Sequence, residues 1–137
     1  MIEFEDFIKK GDVKKKEANK ILAEALKKSA EKNIRFIKKL DINDENAEHI
    51  VQDCYNVVRE LIGAKLALDG YKSYSHEATI LYLKKFKQIT EPEIAFADNL
   101  RKLRNNIKYY GKESTAEEAK KAINLMNKML NKLKEML

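Results

Sequence analysis

Apolar residues recur along this chain at three- and four-residue spacing, in long stretches broken by a few sharp stops. That period is the signature of amphipathic helices. A short amphipathic piece, Ile2 to Lys10, stops at Gly11. A first long helix is expected from about Lys16 to Leu40, with Ala18, Leu22, Ala25, Leu26, Ala30, Ile37 and Leu40 on its apolar side. Asp41-Ile42-Asn43-Asp44 reads as a turn, in which Asn43 or Asp44 could cap the next helix. That second long helix, about Glu45 to Asp69, ends at Gly70, a natural left-handed C-terminal residue. Its stripe of Ala47, Ile50, Val51, Cys54, Val58, Leu61 and Ile62 is wide, and Val57, Ala64 and Leu68 add a second apolar edge. A helix so apolar on several sides is central, or is shared with a partner subunit. Gly63 sits inside it at a cost of about 1 kcal/mol relative to Ala, for which close helix approach is the expected reason.

Tyr71 to Ser75 reads as a loop, with Ser73 or Ser75 capping a third helix from about His76 to Gln88 that carries Ile80, Leu81, Leu83 and Phe86. Thr90-Glu91-Pro92-Glu93 is a capping box with Pro in the first turn, where its missing N–H does no harm. The fourth helix comes next with Phe96, Leu100, Leu103, Ile107 and Tyr110, and Gly111 stops it. Ser114-Thr115-Ala116-Glu117-Glu118 offers two overlapping capping boxes for a fifth helix, whose seam is Ala119, Ala122, Met126, Met129, Leu133 and Met136. Short connections place sequential helices antiparallel. The expected fold is all-α: an up-and-down bundle of four to five long helices plus a short N-terminal helix, in one domain spanning 1–137.

Composition narrows this picture. A chain of 137 residues is long enough to bury a core without disulfides or metal. Charged residues make up 36%, against about 25% in an ordinary soluble protein. The net charge of +6 is uneven: residues 1–40 hold 12 basic and 7 acidic groups, 41–80 hold 3 and 8, and 81–137 hold 13 and 7. Basic flanks of this kind suit an anionic partner such as nucleic acid, or a solvated Lys/Glu helix surface. Because 24 of the 28 basic groups are Lys, the four arginines, Arg35, Arg59, Arg101 and Arg104, are the better candidates for phosphate forks. The single Cys54 excludes an internal disulfide, and no Cys/His spacing resembles a zinc site. No metal or cofactor is expected. The acidic N-terminus lacks a signal-peptide core, and no apolar run approaches the ~18 residues of a membrane span. A cytoplasmic location without membrane association is expected.

Leu100 to Gly111 is the most unusual stretch, presenting Arg, Asn and Tyr beside core positions. Arg101, Asn105 and Tyr109 succeed one another at four-residue spacing and share a face. Arg104 lies between that face and the apolar stripe, so partial burial is expected. An Arg there needs a carboxylate, a phosphate or backbone carbonyls. Asp53 and Glu60 are the candidate protein partners, which leaves a structural ion pair and a ligand site at even odds. His76 comes after Ser75 and precedes Glu77, but adjacent helical residues point apart, so a capping role in the next helix fits better than a catalytic one. His49 reads as a surface residue, Cys54 as core, and the methionines as core filler.

The segments Asp53 to Ile62, Asp69-Gly70-Tyr71-Lys72-Ser73-Tyr74-Ser75-His76-Glu77-Ala78 and Leu100 to Gly111 resemble the HEPN superfamily of helical bundles, in particular its small stand-alone archaeal and bacterial proteins. The resemblance implies an all-α bundle that dimerises around its central helices. Many such proteins are metal-independent RNases with an Arg, a polar residue after it and a His four to six positions later, assembled at the dimer interface. They often pair with a minimal nucleotidyltransferase in toxin–antitoxin operons, and others are described as nucleotide-binding or as non-catalytic partners. Carried over, Arg104 and Asn105 match the start of that motif, while Tyr109 stands where the His belongs. Tyr, with a pKa near 10, is a poor base for a ribose 2′-hydroxyl, although it can stack on a base or bond a phosphate.

Three functions are open. The favoured one is a homodimeric module that binds RNA or a nucleotide through Arg104, Asn105, Tyr109 and Arg101 and acts with a nucleotidyltransferase-type protein. The alternatives are a metal-independent ribonuclease in which His76 stands in for the missing base beside Arg104, and a purely structural dimer in which Arg104 bridges to Asp53 or Glu60.

Overall fold

The structure, a computed structural model, describes residues 2–137 and is built from six α-helices and one small β-ribbon: α1 (Phe4–Lys10), β1 (Val13–Lys15), α2 (Lys20–Lys38), α3 (Ala47–Asp69), β2 (Tyr71–Ser73), α4 (His76–Leu81), α5 (Glu91–Tyr110) and α6 (Ala116–Glu135). The capping signals act as their chemistry requires. Thr90 and Thr115 each form a reciprocal box with the Glu three residues on, and Gly70 and Gly111 end their helices with positive φ.

Three contacts show that α2 and α3 run antiparallel. The Asn19 N–H donates to the Ala67 carbonyl, Leu26 lies over Gly63, and Asn33 Nδ2 donates to Glu60 Oε1. Lys132 bonded to Glu93, and Lys128 over the Phe96 ring, do the same for α5 and α6. Thirteen of the 23 residues of α3 are buried. The two apolar edges of this helix are therefore consumed inside the protomer, against α2, α5 and α6. Each fully buried Val, Leu or Ile on it stabilises the fold by roughly 1.5–3 kcal/mol. The expected seam of α6 is buried throughout, and Cys54 lies in the core, where burial pushes its thiol up to about 12.

Several details depart from the sequence reading. Val13–Lys15 does not wait in a loop but pairs antiparallel with Tyr71–Ser73, with Val13 opposite Ser73. The Lys16 N–H donates to the Gly70 carbonyl and extends this ribbon, so α2 begins only at Lys20, capped by Asn19. The α2 stripe is rotated: Ala23 and Ile34 are buried, while Leu22, Ala25 and Phe36 face outward with Ile21. The third expected helix is cut short, because Tyr82 turns into a cluster with Phe4, Tyr71 and Phe86 and its hydroxyl donates to Asp69. A 3-10 turn, Tyr82–Lys85, takes over. Asp44 does not cap the helix after it; its carboxylate accepts from the Ala116 N–H and caps α6 instead. Tyr110 lies outside rather than continuing the α5 stripe.

Candidate functional site

The site forms where the last two turns of α5 pass α3 and the start of α4. Arg104 is 9% exposed. Its guanidinium carbon lies 5.4 Å from the Tyr55 ring centroid and 5.7 Å from that of Tyr109. Tyr55 comes from the middle of α3 and is fully buried, whereas Tyr109 is 60% exposed and forms an outer lid. Arg104 Nη1 donates to Asn105 Oδ1 at 3.2 Å. Among the described residues no carboxylate pairs with Arg104, and its remaining donors are not sealed in the interior.

The structural ion pair that the sequence left open is therefore absent. Glu60 is committed to Asn33. Asp53 sits beside His49, its carboxyl raised by burial against the pull of that ring. The surroundings of Arg104 are aromatic and cationic, and the nearby carboxylate of Asp98 is taken by Arg101 and Lys102.

His76, the first residue of α4, enters the same site. Ser75 caps α4 through its hydroxyl and fixes the backbone there. This holds His76 Nδ1 2.6 Å from the Tyr55 hydroxyl, with the two rings tilted at 33°. Burial lowers the His76 pKa, and the positive charges of Arg104, Arg59, Lys108 and Arg101 lower it further. Burial pushes the Tyr55 hydroxyl up to about 12, against the opposing pull of the same arginines. At neutral pH the imidazole is thus uncharged and the phenol protonated. Because the buried Tyr55 O–H has no other partner among the described residues, we assign it as the donor and His76 Nδ1 as the acceptor, which puts the His76 proton on Nε2.

Of the residues singled out from sequence, Arg104, Asn105 and Tyr109 come together, and His76 joins them. Arg101 belongs to the rim: its Nε is bonded to Asp98 at 2.8 Å, and Lys102 shares that carboxylate. Burial works against the Asp98 charge, but these hydrogen bonds hold its pKa below the usual range. Sequence reasoning missed Tyr55. Its signal was present, since a phenol in the most apolar helix must find a polar partner.

A cavity of about 230 Å³ adjoins the site on the ribbon side, with Arg59 and His76 in its wall. No group of three or more His, Cys, Asp or Glu that could hold a metal ion occurs among the described residues, and no helix there is long and apolar enough to cross a membrane.

The family model of the HEPN domain matches residues 23–136. The chain belongs to the HEPN domain family. Comparison with curated proteins and with solved structures finds no match.

Proposed function

We propose that this protein is a HEPN-type homodimer that binds RNA or a nucleotide through Arg104, Asn105 and Tyr109, and that it acts alongside a nucleotidyltransferase-type protein. One observation carries the binding reading: Arg104, only 9% exposed, sets its guanidinium between two tyrosine rings with no carboxylate paired to it among the described residues. Its remaining donors reach the surface, where an anion can take them. A phosphate fits the guanidinium fork, and the exposed Tyr109 ring offers a face for a base. The uncharged His76 contributes an Nε2–H donor at the same place.

For the dimer, the support moves from α3, whose apolar faces are used internally, to the exposed Ile21, Leu22 and Phe36 of α2 and to Tyr109 and Tyr110. A light-scattering mass near twice the 15.9 kDa protomer is expected; the protomer mass at micromolar concentration would overturn it. The nucleotidyltransferase-type partner rests on the family alone.

A second reading, a metal-independent ribonuclease, is favoured by the arrival of His76 beside Arg104. The tautomer argues against it. With Nδ1 occupied by Tyr55, Nε2 carries a proton and is a donor rather than a ready base. Both readings are tested by incubating wild type and Arg104→Ala with end-labelled mixed RNA in EDTA. A mobility shift lost in the variant is the expected result. Cleavage lost in the variant would favour the nuclease, and identical behaviour of the two proteins would refute both.

A further inference from the structure

The cavity beside the site has a chemistry of its own. It lies between the first half of α2, the second half of α3 and β2, and Leu22, Leu26 and Leu66 form its apolar walls. Gly63 lines it without a side chain, with Leu26 over it. At about 230 Å³ it falls below the roughly 300–1,000 Å³ of sites for drug-sized ligands; one planar ring system suits it better than an extended molecule. Its wall also holds Glu60, a carboxylate 9% exposed. Only Oε1 of Glu60 is engaged, by the Asn33 amide at 3.2 Å. Arg59 and His76 stand in this wall, and the charges of Arg59 and Arg104 both act on His76 and on Tyr55, so cavity and cationic cluster are contiguous.

We propose that this cavity receives the base of a guanine nucleotide whose phosphate lies on the Arg59–Arg104 side, with Glu60 reading the guanine edge. The proposal rests on the nucleotide-binding function proposed for Arg104. A carboxylate only accepts hydrogen bonds. Guanine presents two adjacent donors, N1–H and the N2 amine, which match its two oxygens. Adenine and cytosine each place a ring acceptor beside their amine, and uracil places two carbonyls beside its single N–H, so each sets an acceptor against the carboxylate. The leucine walls cover the ring faces, and the absence of a Cβ at Gly63 leaves room for them.

The test is calorimetric titration of the full chain with GMP, AMP and inorganic phosphate. Wild type is expected to bind GMP at least tenfold more tightly than AMP, the discrimination of one good bidentate contact. In Glu60→Gln that preference falls about tenfold while phosphate affinity is unchanged. Gly63→Ala guards against a folding artefact, because its new methyl meets Leu26 only at an ordinary 3.5 Å. It is expected to weaken GMP several-fold and leave phosphate alone. Equal affinity for GMP and AMP together with no guanine preference in an oligonucleotide, or a preference that survives Glu60→Gln, overturns the base pocket. If binding then still depends on Arg104, the proposed function stands without it. Phosphate and nucleotide affinities unaltered by Arg104→Ala would overturn both. An oligouridylate with one internal guanine, titrated beside the all-uridine strand, separates the two sources. A guanine preference in the strand and not in GMP assigns the pocket to RNA, and the reverse assigns it to a free nucleotide.

Discussion

Replacing Arg104 by Met separates a structural tie from a ligand-binding cation. Were Arg104 the buried member of an ion pair, losing it would strand a carboxylate and cost about 3–5 kcal/mol. No carboxylate among the described residues pairs with it. The folded protein loses instead the contacts with the exposed Tyr109 ring, about 0.5–1 kcal/mol, and with the buried Tyr55 ring, up to about 2 kcal/mol. Against this, Met fills similar volume, needs no solvation, and relieves the crowding of Arg59, Arg101 and Lys108 that already depresses the His76 pKa. The two contributions oppose each other, and the net change in stability is expected to lie within about 1 kcal/mol. The assay is urea unfolding monitored by far-ultraviolet circular dichroism, since the chain has no Trp to report by fluorescence. With a slope of about 1–3 kcal/mol per molar urea, the midpoint should move by less than about 1 M. RNA or nucleotide affinity should fall by about tenfold or more, the loss of a charged hydrogen bond. A midpoint that drops by about 2 M, at unchanged slope, would refute the reasoning by revealing a stabilising partner for Arg104. An unaltered affinity would refute it from the other side.

The His76 pKa is lower folded than unfolded, so the unfolded chain takes up its proton first as pH falls. The stability that neutral His76 brings is complete above its ordinary pKa of about 6.5 and is lost as pH drops from there through the folded value. His76→Gln should therefore show a flatter stability profile across that window than wild type, and in NMR titrations His76 should titrate below the ordinary histidine value, moving upward in Arg104→Met. Parallel profiles and an undisplaced His76 titration would remove the cationic cluster from the account. Gly70→Ala and Gly111→Ala both force Ala into a left-handed conformation costing about 1–2 kcal/mol, but a Cβ at Gly70 would meet the Lys16 carbonyl oxygen at 2.7 Å while one at Gly111 meets nothing within 4 Å. Chemical denaturation should find Gly70→Ala clearly the more damaging; equal losses would mean the ribbon yields without cost.

The helices were legible because their ends are written in short-range chemistry. Thr90 with Glu93, Thr115 with Glu118 and Gly after α3 and α5 act within one turn, so no tertiary knowledge was needed. The ribbon was not, since Val13-Lys14-Lys15 and Tyr71-Lys72-Ser73 are too short and too charged to show alternation and become strands only by meeting each other. The α2 start erred for the same reason: Ala18 fits the helical period, but the Lys16 and Asn19 N–H groups are claimed by the end of α3. In the site, Arg104, Asn105 and Tyr109 stood out because one helix face carries them. His76 was readable as a cap and as a stand-in base, but not as the partner of Tyr55, which lies 21 residues away on another helix; burial rather than spacing brings the two together.

The ribbon also bears on the order in which the molecule completes itself. Its strands, Val13–Lys15 and Tyr71–Ser73, are far apart in sequence, and such a closure costs more chain entropy than the local turns of a helix. The Tyr74 N–H donates to the Asp12 carbonyl just beyond the paired strands, close before His76. The register of the chain that delivers the imidazole to Tyr55 is thus set by the amino-terminal segment, far from Arg104 in sequence. Arg104 and Tyr109 can be in place as soon as α5 packs on α3. The docked amino-terminal strand thus steadies the segment that carries the imidazole, while Arg104 and Tyr109 depend on α5 alone.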